Sequence, residues 1–222
     1  MSRPVILVVG AGPGVSGSVA RRFARDGHDV GLLGADEAVL RDLVYDLEPL
    51  GAAVAWRVAD LTDHDAATAA VSGLADGLGR VDVLHFNPSA FREKDPLELS
   101  VPELLDDLTL GVGALLTVLQ AARPHMSPGA RVTATGSMAA DKPWHRAASL
   151  GVQKAGMRNL VHSIDAALEP DGIRAVSVTV RGTLAGEGGF TPDRVAEAIH
   201  AAAHQDPDDW RTEVPYAGTT ED

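Results

Sequence analysis

Cysteine is absent from all 222 residues, which removes disulfides, thiolate metal ligands and thiol nucleophiles from consideration. Long apolar runs are missing too. No stretch approaches the roughly 18 consecutive apolar residues that mark a membrane-crossing helix, so no membrane partner is expected. Positive charge is scarce, with 19 Lys and Arg against 31 Asp and Glu and a formal net charge of -12. Nucleic-acid and anionic-membrane surfaces rest on basic patches, which leaves a small molecule or another protein as the expected partner. Lysine is the scarcest cation: Lys94, Lys142 and Lys154 stand alone among many arginines, so a single arginine carries little functional weight and Lys154 carries more. The segment Met1 to Pro4 passes directly into a strand-like run too short for a signal-peptide core, and the expected location is cytoplasmic. With 45% hydrophobic residues, the chain is long enough for one substantial core, and a single domain over residues 1–222 is expected.

What is present is an alternation. Residues 4–9, 30–33, 54–58, 81–86, 130–134 and 173–180 are short apolar runs that read as strands buried on both faces, and residues 212–217 read as an edge strand. Between them, residues 15–26, 36–50, 63–78, 101–125, 147–168 and 192–204 carry helical periodicity. Strands alternating with helices of this length predict right-handed crossovers on a doubly wound parallel α/β sheet. The expected order of its seven strands is 3-2-1-4-5-6-7. No repeat or linker-like stretch suggests a second domain.

The first strand ends in Gly10-Ala11-Gly12-Pro13-Gly14-Val15-Ser16-Gly17. Glycines at a strand-to-helix turn let the backbone approach a pyrophosphate at the positive end of the helix, so Gly10, Gly12, Gly14 and Ser16 are candidate cofactor contacts. The alternative is a tight structural turn without a ligand. Gly34 closes the second strand where an NAD-specific fold places an acid on the ribose 2'-hydroxyl. Its lack of a carboxylate removes a repulsion against a 2'-phosphate, although no arginine occupies Pro13, Gly34 or Ala35. NADP is therefore favoured over NAD.

Ser137, Leu150 and Lys154 follow one another at intervals of 13 and 4 residues. The segment resembles the active-site stretch of the short-chain dehydrogenase/reductase family, in which serine, tyrosine and lysine take those positions. The resemblance implies a Rossmann fold and a proton-transfer unit in which Ser137 orients the substrate oxygen and Lys154 binds the nicotinamide ribose. Leu150 stands in place of the phenol, and Gly111, or Leu110 with a one-residue shift, replaces the relay asparagine of the preceding helix. His145 is the first candidate for a substitute acid, with Ser149 and His85 as further polar neighbours. By the same resemblance Gly10 and Gly14 match the family's glycine turn, with Ser16 where its last glycine stands. Asp60 and Leu61 match its adenine-contacting pair, although Asp60 has an alternative role as a helix cap. Asn87 matches the second asparagine of its Asn-Asn-Ala-Gly segment, and Gly182 lies where it has a Pro-Gly turn. Few residues separate Gly182 from the next helix, so the usual helical lid is expected to be nearly absent and the site open.

The reading that results is a divergent family member that binds NADP(H) or NAD(H) and acts on a small carbonyl or enol-type substrate without the usual tyrosine acid. The alternatives are a non-redox isomerase, cyclase or dehydratase, and a non-catalytic nucleotide-binding protein. Apolar residues on the helices around residues 101–125 and 147–168, which pair across a twofold axis in relatives, imply a homodimer or homotetramer. No metal site is expected.

Overall fold

A computed structural model describes residues 3–218. Seven strands form one parallel sheet: β1 (Val5–Val9), β2 (Asp29–Gly34), β3 (Val54–Val58), β4 (Val83–Phe86), β5 (Arg131–Ser137), β6 (Arg174–Val180) and β7 (Glu213–Tyr216). Their order is β3-β2-β1-β4-β5-β6-β7, as the alternation predicts. Every residue of β1 is buried, since helices cover both faces of a parallel sheet. The edges differ from the centre. β3 is half exposed, and β7 carries Pro215, which an edge strand accommodates because its outer N–H groups are not needed by a neighbour.

One face of the sheet is covered by α1 (Val15–Arg25), α2 (Glu37–Leu47) and α7 (Pro192–Ala203). Phe23, Leu40, Leu47 and Ile199 are fully buried there against Ile6, Val8, Leu32 and Val178. The other face is covered by α3 (His64–Leu78), α4 (Val101–Leu108), α5 (Ala114–Ala122) and α6 (Ala148–Leu168), with Leu74, Leu115, Val118, Met157 and Val161 packed on Leu7, Leu84 and Val132. Each such fully buried side chain contributes about 1.5–3 kcal/mol.

Residues 101–125 satisfy the length and composition of a membrane-crossing helix, but Ala114, Leu115, Val118 and Ala122 are buried in the core. Its periodicity predicts one continuous helix, which the structure corrects. α4 passes into α5 through a wider π turn at Thr109–Gly113, a feature that interrupts helices most often at functional sites.

The strand order reverses between β1 and β4, so the loops leaving their carboxyl ends diverge and open a crevice, the place where open α/β sheets bind ligands. Gly10 turns the chain at φ 75°, and a side chain there would collide with Pro88, whose Cγ lies 2.8 Å from an ideal Cβ position. The loop after β4 therefore rests directly on the glycine turn.

Candidate active site

Two cavities open along this crevice. One, of about 620 Å³, is lined by Gly10, Gly34, Asp60, Leu61, Pro88 and Leu110 among others. The second, of about 380 Å³, is lined by Gly14, Asn87, Ser137, Leu150, Lys154 and Gly182, together with Val15, Ser89, Thr135, Gly136, Val180 and Leu184. Ser89 borders both. Nine of the sequence-predicted residues thus meet in one continuous groove, whereas Gly12, Ser16 and His145 line neither cavity.

The exceptions have physical reasons. Ser16 is buried, and its hydroxyl accepts from the Gly12 amide at 2.9 Å; it holds the turn together from inside. The Gly10 and Ala11 amides both donate to the Leu33 carbonyl at 2.9 Å. The donors left to the groove belong to the first turn of α1, which has neither a side-chain cap nor an acidic residue. By contrast α2, α3, α4 and α7 are capped by Asp36, Asp63, Ser100 and Thr191. An uncapped helix start facing a cavity is suited to an anion. Asp60 accepts from both the amide and hydroxyl of Thr62 through Oδ1, at 2.8 and 2.7 Å; these bonds lower its pKa, and Oδ2 stays free to accept from a ligand.

Lys154 reaches the second cavity from α6. It is 6% exposed, and its Nζ donates to the Thr135 carbonyl at 2.9 Å. Burial drives its pKa down to about 8, because an ammonium loses hydration that a single carbonyl does not replace. Among the described residues it is the only titratable side chain lining the cavity. His145 is exposed in the loop before α6, so the structure gives the leading histidine candidate no access to the cavity. His85 is fully buried behind the cavity wall, with Nδ1 2.9 Å from the Thr133 hydroxyl. Burial, with the nearby Lys154 charge, depresses its pKa to about 3, which keeps the ring neutral. Ser149 is fully buried and lines neither cavity. Both tyrosines lie elsewhere: Tyr45 is exposed on α2, and Tyr216 donates its hydroxyl to the Gly189 carbonyl at 2.6 Å.

Gln153, which the sequence reading did not single out, packs directly against Gly111. An ideal Cβ on Gly111 would lie 2.9 Å from Gln153 Cγ. The carboxamide accepts from the Ala90 amide at 2.9 Å and donates to the Ala90 carbonyl at 3.2 Å. A fully buried glutamine next to Lys154 therefore ties the loop after β4 to α6. The available signal was a polar residue on the apolar side of a helix. Farther along that loop, Arg92 pairs with Asp107 at 2.9 Å and Lys94 with Glu103 at 2.6 Å.

The short connection after β6 is also tethered. Phe190 packs so closely on Gly182 and Gly218 that a side chain fits at neither; its Cε2 lies 2.8 Å from an ideal Cβ on Gly218. Tyr216 stacks edge-on against the same ring. Leu184 remains half exposed at the cavity rim, so the connection forms a low wall where a helical lid was expected to be missing.

The sequence matches the model of the short chain dehydrogenase family over residues 4–186. The chain belongs to that family. Among its relatives, gluconate 5-dehydrogenase of Gluconobacter oxydans (strain 621H) is 32% identical over 56% of this chain and 49% of its own length. Meso-2,3-butanediol dehydrogenase of Serratia marcescens is 30% identical over 78% of this chain and 69% of its own length. The chain thus spans about half of the first relative and about two thirds of the second. Two solved structures share the fold: a metagenomic short-chain oxidoreductase in complex with NADP, at a TM-score of 0.88 and 24% identity, covering 98% of both chains; and a short chain dehydrogenase from Burkholderia cenocepacia J2315 in complex with NADP, at 0.89 and 24%, covering 98% of this chain and 96% of that one.

Proposed function

We propose that this short-chain dehydrogenase family member is an NADP(H)-dependent oxidoreductase for a small carbonyl or alcohol substrate, with Lys154 supplying the proton that a tyrosine supplies in its relatives. The observation that carries this reading is that Lys154 is the one titratable group among the described residues lining the cavity, and that Leu150, four residues before it, lines the same cavity.

The groove fits a dinucleotide. The uncapped start of α1 would hold the pyrophosphate, Asp60 and Leu61 would contact the adenine, and Gly34 offers no acid to repel a 2'-phosphate. Asn87, Lys154 and Gly182, which line the second cavity, would hold the nicotinamide end. NADP(H) is favoured also by the two similar structures that are NADP complexes. When bound, the cofactor supplies or accepts hydride. The chain's own residues do the rest: the Ser137 hydroxyl donates to the substrate oxygen, and Lys154 Nζ passes a proton to that oxygen as it gains charge, then recovers one from solvent. A pKa of about 8 suits an acid working near neutrality. The relatives named for gluconate and meso-2,3-butanediol make small polyols and hydroxy acids the first substrates to try.

The missing phenol supports a second reading, a nucleotide-binding protein without redox turnover, whose site would hold cofactor but transfer no hydride. Calorimetric titration with NADPH and NADH, followed by nicotinamide absorbance with a panel of small ketones and diols, separates the two. NADPH binding in the micromolar range with slow turnover supports the first reading. Binding without turnover across the panel favours the second, and no heat with either cofactor overturns both.

A further inference from the structure

At the opposite end of the sheet from both cavities, Asp26, His200 and His204 meet. Asp26 caps the carboxyl end of α1, and His204 caps that of α7. Both helices return antiparallel to the strands, so these ends lie at the edge where the strands begin. His200 and His204 are four residues apart on one face of α7, with ring centroids 4.3 Å apart, and both rings lie against Phe23, at 4.8 and 6.0 Å. One ligand atom from each of Asp26, His200 and His204 lies within 4.8 Å of the other two.

The hydrogen bonds set the ligand atoms. Nδ1 of His204 lies 2.8 Å from the His200 carbonyl, an acceptor only, so Nδ1 carries the proton and Nε2 keeps its lone pair. Metal-ligating imidazoles are oriented by just such a bond on their second nitrogen. Nε2 of His200 is 2.9 Å from Asp26 Oδ2, a spacing that a shared ion can bridge. A simple His–Asp pair accounts for His200 but does not require His204, whose ring stacks beside it. Arg22, whose charge acts on both Asp26 and His200, is itself paired with Glu197 at 2.7 Å. His28, 6% exposed and without a hydrogen-bond partner at Nδ1, packs on the same Phe23 ring at 5.0 Å, so three imidazoles surround that ring.

We infer that Asp26, His200 and His204 form a binding site for a divalent transition ion of the zinc type, with solvent completing its coordination. Two imidazoles and one carboxylate match that ion class, whereas calcium and magnesium require oxygen ligands throughout. The ion replaces the proton between His200 Nε2 and Asp26 Oδ2; that proton leaves to solvent or moves to Nδ1. Bound there, the ion clasps α7 to α1 far from the reaction groove, so its role is structural.

The test uses the untagged full chain, stripped with chelator and titrated with Zn²⁺ by calorimetry, and with Co²⁺ for spectroscopy. One ion per chain is expected, with a melting temperature raised by several degrees at an ion concentration about 100-fold above Kd. His204→Gln and Asp26→Asn should each weaken binding at least about tenfold, while His145→Gln and His162→Gln, both at exposed positions, leave it unchanged. Paramagnetic broadening of the His200 and His204 ring signals by Co²⁺ checks the assignment in the wild type, independent of how the variants fold. Absence of saturable binding at about 0.1 mM ion overturns the proposal. So does binding undiminished in both site variants, or broadening centred on other histidines.

Discussion

Replacing Lys154 with methionine exposes the conflict between stability and function in this groove. The lysine is 6% exposed, accepts hydration from almost nothing, and its pKa falls from 10.5 to about 8 through burial. A depression of that size corresponds to roughly 3 kcal/mol of native-state destabilisation. Below pH 8 the lysine is protonated in both folded and unfolded chains, and the penalty is fully present. Between pH 8 and 10.5 the unfolded chain binds the extra proton, so wild-type stability gains with rising pH. Above 10.5 both states are neutral and the penalty is gone. Lys154→Met removes the charge and keeps a flexible chain of similar reach, but it leaves the Thr135 carbonyl without its donor, at a cost of about 1–3 kcal/mol. Near pH 7 the variant should therefore equal the wild type or exceed it by up to about 2 kcal/mol, which is several degrees in melting temperature for a chain of this length. The sharper readout is the difference between the two proteins, because other titrating groups cancel. Urea unfolding of cofactor-free protein from pH 7 to 10.5 should show the variant's relative stability falling by about 3 kcal/mol. A difference that stays flat with pH would refute the claim that Lys154 is held charged against its surroundings. Turnover should be lost in the same variant at every pH.

Leu150→Tyr should add a phenol to the cavity wall and raise carbonyl reduction by up to about 10²–10⁴-fold, measured as NADPH oxidation with a small ketone; no gain would mean that the position does not face the reacting oxygen. Gly111→Ala should lower stability by about 1–3 kcal/mol, because the new methyl meets Gln153 Cγ at 2.9 Å. This reverses the usual gain from replacing a helical glycine by alanine, and urea denaturation reads the sign directly. Exposed Val101, Leu105, Leu116 and Val152 on α4, α5 and α6 favour a homodimer or homotetramer, expected by light scattering at micromolar concentration; a monomeric mass would count against it.

Sequence alone determined the layer architecture, the strand order and the two ends of the groove. Strands buried on both faces declare themselves as uninterrupted apolar runs such as Val5–Val9, and the glycine turn follows the first of them. The spacing of Ser137 and Lys154 places both at one cavity because the end of β5 and the face of α6 are fixed relative to each other by the fold. The same spacing brings Leu150 to that cavity. Tertiary structure decided the chemical state of these residues. Burial, which no spacing encodes, made Lys154 a weak base and His85 a neutral buried ring, while it left His145 outside the site. Packing also placed Gln153 in the space opened by Gly111, since complementary volumes on facing helices are matched only once both helices are set against the sheet. The meeting of Asp26 with His200 spans 174 residues. It exists only because the crossovers lay the first helix of the fold beside the last, so that their ends share one edge of the sheet.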